Sequence, residues 1–220
     1  MNNIDRLFDP DAAVFASRYI DYLSEILHGI NVGEIKCLVD LLLDARERAA
    51  TIFFIGNGGS AATASHFAND LGYGTDSYDK PFRALSLTDN QAVITALAND
   101  NDGYDEVFVR QLRVLGQPGD VLVAISASGN SPNLIKALEH AAKADIRTVA
   151  ITAFDGGRIK KMAQHCIHVP TELKEYGPAE DAHMVLDHLI GAFLMRFIKT
   201  RSRQADRPID GGLVSLPGRE

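Results

Sequence analysis

Short apolar runs recur along this chain at 51–55 (TIFFI), 84–87 (ALSL), 120–125 (DVLVAI), 148–152 (TVAIT) and 166–169 (CIHV), separated by polar or helix-patterned sequence. Runs of this length without alternation suit strands covered on both faces, and helical segments between them make the connections parallel. Two amphipathic stretches come first. Asp9-Pro10 reads as a cap and first-turn proline, after which Phe15, Tyr19, Leu23, Ile26 and Leu27 recur at helical spacing. Ile35, Leu38, Val39, Leu42 and Ala45 form a second stripe. The last long element, 178–199, carries no charge between His188 and Arg196, which predicts a buried helix, against another subunit if not against the sheet. The pattern predicts a three-layer α/β sandwich with about five parallel strands, an N-terminal helical pair and a long C-terminal helix. It forms one domain over 1–200, and the tail 201–220, polar with prolines and glycines, is expected to be flexible.

In open parallel sheets, ligands bind beyond the carboxyl ends of the strands, so the loops there matter most. After the first run comes Gly56-Asn57-Gly58-Gly59-Ser60, where glycines allow a sharp turn that presents N–H groups at a helix start, an anion site or simply a tight turn. After the third comes Ser126-Ala127-Ser128-Gly129-Asn130-Ser131-Pro132. Ser131 is placed to cap the helix that follows; Ser126 and Ser128 exceed what capping needs. Hydroxyls with free N–H groups can hold a phosphate without Lys or Arg. No Gly-Lys-Ser/Thr follows, and the first loop lacks the helix-packing glycine of a dinucleotide site, so a sugar phosphate outranks a nucleotide. After the second run, Thr88-Asp89-Asn90 starts a helix with an unusually polar stop at Asn99-Asp100, fit for sugar hydroxyls or for plain termination.

Composition narrows the classes. The 220 residues are 46% apolar and 23% charged, enough for one sizeable core. The net charge of −7 argues against a nucleic-acid binder. Only Cys37 and Cys166 are present, so a disulfide framework is not expected. The N-terminus lacks a signal core and no run is long enough to span a membrane, which gives a cytoplasmic expectation with no membrane partner.

Candidate chemistry lies on two helices. His66 and Asp70 are spaced i, i+4 and so share a face, as acid and base, as metal ligands, or as an ordinary surface pair. The final helix adds Glu180, His183, Asp187 and His188. At about 100° per residue, Glu180, Asp187 and His188 lie within roughly 80–100° of one another, but Glu180 and His188 differ by ~12 Å in rise. Either Glu180 precedes the regular helix or the two serve different parts of a site.

Taken in order, GNGGSAATASHFANDL, LTDN, ALANDNDGYDEVF, AISASGNSPNLIKAL and ITAFDGG resemble the sugar isomerase (SIS) superfamily, specifically its phosphoheptose isomerase branch, from the N-terminal helices to about Lys199. The resemblance implies a flavodoxin-like fold and conversion of sedoheptulose 7-phosphate into D-glycero-D-manno-heptose 7-phosphate, the first step towards activated heptoses for lipopolysaccharide, capsule or related glycans. It also implies homotetramers with sites at subunit interfaces. Carried over residue by residue, Asn57, Gly58, Gly59 and Ser60 line the substrate pocket, Ser126, Ala127, Ser128 and Ser131 hold the phosphate, and Asn99 and Asp100 stand near the sugar.

One divalent metal per site, zinc first, would be held by His66, Asp70, Glu180 and His188, with no nucleotide or organic cofactor. Glu180 also counts as substrate-binding. Two positions depart from the family pattern: Asp70 stands where glutamate is expected, and Glu180 where glutamine is expected. These changes point to a variant subgroup, differing in anomer, metal preference or phosphosugar. Aldose–ketose interconversion needs a base at carbon and a group that moves the proton between two oxygens, roles assigned to Asp70 and His188 without choosing which takes which; a coordinated residue cannot also serve freely as a base, so the metal and direct acid–base routes compete. The rival is a non-catalytic SIS protein that binds a phosphosugar or the replication initiator protein. Such a relative is expected to lack both the last-helix histidine and the carboxylate after His66; both are present here, which favours an enzyme.

Overall fold

The computed structural model describes residues 2–100 and 103–205. Five parallel strands form one sheet: β1 (Thr51–Gly56), β2 (Arg83–Ser86), β3 (Val121–Ser126), β4 (Arg147–Thr152) and β5 (His165–His168), in the order β2-β1-β3-β4-β5. Each of the five apolar runs is a strand. The three inner strands are buried along almost their whole length, whereas β2 and β5, the edges of the sheet among the described residues, alternate or are partly open.

Alternation along the strands feeds two cores. Ile52, Phe54, Val121, Val123, Ile125, Val149 and Ile151 face one side; α3 (Val32–Glu47), α4 (Gly59–Asn69) and α9 (Tyr176–Ala205) cover them. Phe53, Ile55, Leu122, Ala124 and Ala150 face the other, under α5 (Gln91–Asn99), α6 (Val109–Leu115), α7 (Pro132–Lys143) and α8 (Ile159–Met162). Each such Phe, Ile or Leu contributes about 1.5–3 kcal/mol on burial, so the sheet is the rigid frame on which the loops are hung.

The N-terminal pair is present as α2 (Ala12–His28) and α3, preceded by a five-residue helix α1 (Asn3–Leu7). The cap of α2 is Asp11, which accepts from the Ala13 N–H at 2.8 Å; Asp9 instead accepts from the Asp11 N–H at 3.0 Å. Helix α9 starts two residues before the expected 178 and continues to Ala205, so residues 201–205 of the expected tail are helical and the remainder of that tail lies outside the described residues. Leu186, Ile190, Leu194 and Ile198 of α9 are buried, while Val185, Leu189 and Phe193 on its other side are exposed: this chain alone covers only half of the uncharged helix. Both cysteines are free, and no helix among the described residues is long and apolar enough to cross a membrane.

Candidate functional site

The strand order places β1 beside β3 while the chain runs outward from β1 in both directions, and at such a switch point the loops leaving neighbouring strands diverge and open a crevice. The GNGGS loop leaves β1 there and SASGNSP leaves β3. Together they bound a cavity of about 170 Å³ lined by Asn57, Ser60, Ser126, Ala127, Ser128, Ser131, Tyr176 and Glu180. Helices α4 and α7 both begin at its wall, and neither has a side-chain cap. Ser131 occupies the cap position of α7 without bonding as a cap, so its hydroxyl stays available. Ser126 Oγ accepts the Gly129 N–H at 3.1 Å, which leaves its own proton free to donate. Two uncapped helix starts with hydroxyls between them suit an anion held without a cationic side chain.

Two details shape the cavity. Asn57 and Asn133 exchange amide hydrogen bonds at 3.0 and 2.9 Å, tying the two loops, and the Tyr104 hydroxyl donates to Asn57 Oδ1 at 3.1 Å. Glu180 lies directly over Gly59, where any Cβ would overlap its carboxyl group. Burial, with the charge of Asp181 adding, holds Glu180 above the usual carboxylate range. Gly58, at φ +55°, turns the chain into α4 without lining the cavity. Asn99 and Asp100 sit exposed at the end of α5 and do not line it either.

A second cluster forms where α4 runs beside α9. The Nε2 atoms of His66 and His188 are 3.1 Å apart, and His66 Nε2 lies 3.6 Å from Asp70 Oδ2 and 4.0 Å from Asp187 Oδ2. Asp70 opens a π-helical turn, Asp70–Gly74, that extends α4 past the histidine. One ligand atom from each of His66, Asp70, Asp187 and His188 falls within 4.8 Å of the others. This group contains Asp187 where Glu180 was expected. Because α9 is regular from Tyr176, Glu180 is separated from His188 by ~12 Å of rise; the structure leaves it in the serine-lined cavity.

Asp187 decides whether the cluster suits a cation. It is fully buried, neither carboxylate oxygen has a hydrogen-bond partner, and burial together with the charge of Asp70 pushes its carboxyl up to about 7. An unpartnered buried carboxylate is costly unless a positive charge satisfies it. Two imidazoles and two carboxylates form a donor set acceptable to zinc and to other divalent first-row metals. These residues therefore fit a divalent cation. Asn133, Tyr176 and the ligand position of Asp187 were not reached from the sequence. Asp187 alone carried a signal there, since it shares a helix face with His188.

Residues 18–153 match the family model described as SIS domain. The chain is 39% identical over 167 residues to a phosphoheptose isomerase of Akkermansia muciniphila, covering 76% of this chain and 86% of that one. It is 37% identical over 187 residues to one from Aneurinibacillus thermoaerophilus, covering 79% and 92%. Among solved structures, the phosphoheptose isomerase of Neisseria gonorrhoeae superposes with a TM-score of 0.69 at 33% identity, covering 83% of this chain and 95% of that one.

Proposed function

The chain belongs to the SIS-domain family, in its phosphoheptose isomerase branch, and on that footing we propose that it interconverts sedoheptulose 7-phosphate and D-glycero-D-manno-heptose 7-phosphate through an enediol. The observation that carries the proposal is the hydroxyl-lined cavity at the β1/β3 switch point, on the same two helices as a histidine–carboxylate cluster. The hydroxyls of Ser126, Ser128 and Ser131 and the N-terminal N–H groups of α4 and α7 hold the phosphate; Asn57, Ser60 and Glu180 bind the sugar.

In the direct route Asp70 takes the proton from carbon and His188 passes a proton between the two oxygens; this route competes with a metal-held one, in which a coordinated side chain is not free to act as a base. A divalent cation held by His66, Asp70, Asp187 and His188, zinc in first place, would supply positive charge where negative charge develops on oxygen. The product serves the assembly of activated heptoses. We also propose that the protein works as a homotetramer, a reading supported by the open apolar side of α9, which also bears the exposed His188.

The test is proton NMR of purified protein with sedoheptulose 7-phosphate, which reads both the appearance of an aldose and its anomer. Activity should fall with chelator and return with zinc. Asp70→Asn and His188→Gln should each lower kcat by about 10²-fold or more while leaving substrate affinity within a few-fold. Failure to isomerise any ketose phosphate, with or without metal, would overturn the proposal.

A further inference from the structure

Two loops and one helix meet beside the phosphate pocket and fix an aromatic ring there. Phe154, just after β4, is 7% exposed and holds φ at +53°, a conformation that a bulky side chain keeps only where its surroundings impose it. The Phe154 N–H donates to Thr171 Oγ1 at 3.4 Å, and the residues on either side of it are bonded to the serine loop. The Ala153 N–H donates to the Ala127 carbonyl at 3.1 Å, the Ile159 N–H to the Gly129 carbonyl at 3.0 Å, and the Arg158 N–H to Asn130 Oδ1 at 3.1 Å. Gly157, at φ +54°, lies so close that a Cβ would meet the Ser128 carbonyl oxygen. The loop after β4 and the serine loop are in effect one body.

Tyr176 stands on Phe154, ring centroids 5.1 Å apart and planes at 83°, and it lines the serine cavity next to Glu180 while remaining 52% exposed. Its backbone is held from the opposite side. Glu175, 1% exposed, accepts the Asn3 N–H at 2.7 Å, the Tyr22 hydroxyl at 2.5 Å and the Glu172 N–H at 2.9 Å. Three donors satisfy that buried carboxylate and anchor the start of α9 to α1 and α2. With the helix anchored there, the half-exposed ring is not needed to pin it. The ring is a surface turned to the cavity and fixed before any ligand arrives.

We propose that Tyr176 is a substrate-contacting wall of the phosphosugar pocket, its ring packing on the carbon chain beside the phosphate, with Glu175 as the positioning residue that sets it. An aromatic ring offers a sugar's C–H groups a large apolar contact, and a pre-fixed one loses little freedom on binding. The contact forms equally in the ground and transition states, so it acts on affinity and not on the chemical step. The inference rests on the pocket's taking a phosphosugar.

The experiment is calorimetric titration of the full-length, metal-loaded protein with sedoheptulose 7-phosphate, paired with steady-state kinetics. Tyr176→Ala should weaken binding about tenfold and raise KM alike with kcat within about twofold, while Tyr176→Phe stays near wild type. Tyr22→Phe, which takes one donor from Glu175, should weaken binding about threefold, again at constant kcat. Unchanged affinity in Tyr176→Ala overturns the proposal, as does an equal loss in Tyr176→Phe, which would place the effect in the hydroxyl, or a fall in kcat at unchanged affinity. A wild-type protein that binds the sugar phosphate without isomerising it would sink the enzymatic reading and leave this test intact; one that does not bind it at all would sink both.

Discussion

Asp187 is a carboxylate packed into the protein with both oxygens unsatisfied, and the sign of its effect depends on what stands opposite. Without a cation it opposes folding; with one it becomes a ligand. Asp187→Asn should therefore raise the thermal midpoint of chelator-treated protein by about 2–4 °C, and should also remove most of the stabilisation that zinc gives the wild type, both read by calorimetry. His183, three positions after Glu180, is fully buried, and burial, only partly offset by its contact with the Thr152 backbone, pushes its imidazole down to about 4. The unfolded chain takes up that proton below about pH 6.5 and the folded chain only near 4, so acidification between these values favours unfolding. Asp187 acts the other way in the metal-free protein: folded, it keeps a proton up to about 7 that the unfolded chain has already lost, so its contribution falls as pH rises. The two offset each other in wild type. Urea unfolding of His183→Leu against wild type at pH 7 and pH 5 isolates the first: the stability difference should shift in favour of the variant as pH falls.

At the scale of elements, α9 is the organising piece, since its first turn meets the serine loop and its middle meets α4. Its start is fixed by two tyrosines of α2: Tyr22 on Glu175, and Tyr19, whose hydroxyl donates to Asp181 Oδ2 at 2.5 Å. Both phenols are held protonated well above their usual range, Tyr22 at about 12, by burial and the adjoining carboxylates. Tyr22→Phe leaves a buried carboxylate one donor short and should cost about 1–3 kcal/mol in chemical denaturation, whereas Tyr19→Phe, at a more exposed pair, should cost less. Much of this architecture was legible in the sequence. β-Branched and aromatic runs such as TIFFI and TVAIT announce strands by themselves, and the glycine- and serine-rich loops pointed to the cavity proposed for the phosphate. The helix periodicity placed Asp187 and His188 on one side of α9 but could not choose Asp187 over Glu180. That choice depends on how far along α9 its neighbour α4 crosses, which is a tertiary quantity. Tyr176 was illegible for a related reason: its role comes from a ring contact with Phe154, twenty-two residues earlier in the chain.

For the whole molecule, the uncovered side of α9 is the feature with the widest reach. Val185, Leu189 and Phe193, 36%, 47% and 48% exposed, repeat at four-residue intervals and make a continuous apolar stripe beside His188. A second copy of the chain is its proposed cover. Leu189→Glu combined with Phe193→Glu should shift the mass in light scattering from a tetramer towards the 23.9 kDa of one chain, with activity lost in step because His188 shares the surface; an unchanged mass would remove the stripe from the assembly. Far from that stripe, the clamp between the loop after β4 and the serine loop has a kinetic meaning. Loops ordinarily trade hydrogen for deuterium quickly, but the amides of Gly129, Ala153 and Ile159 are bonded within the clamp and should exchange as slowly as those of the sheet. With two of its walls tied together in this way, the pocket is set before a phosphosugar arrives, and its capture should not wait on movement of these two loops.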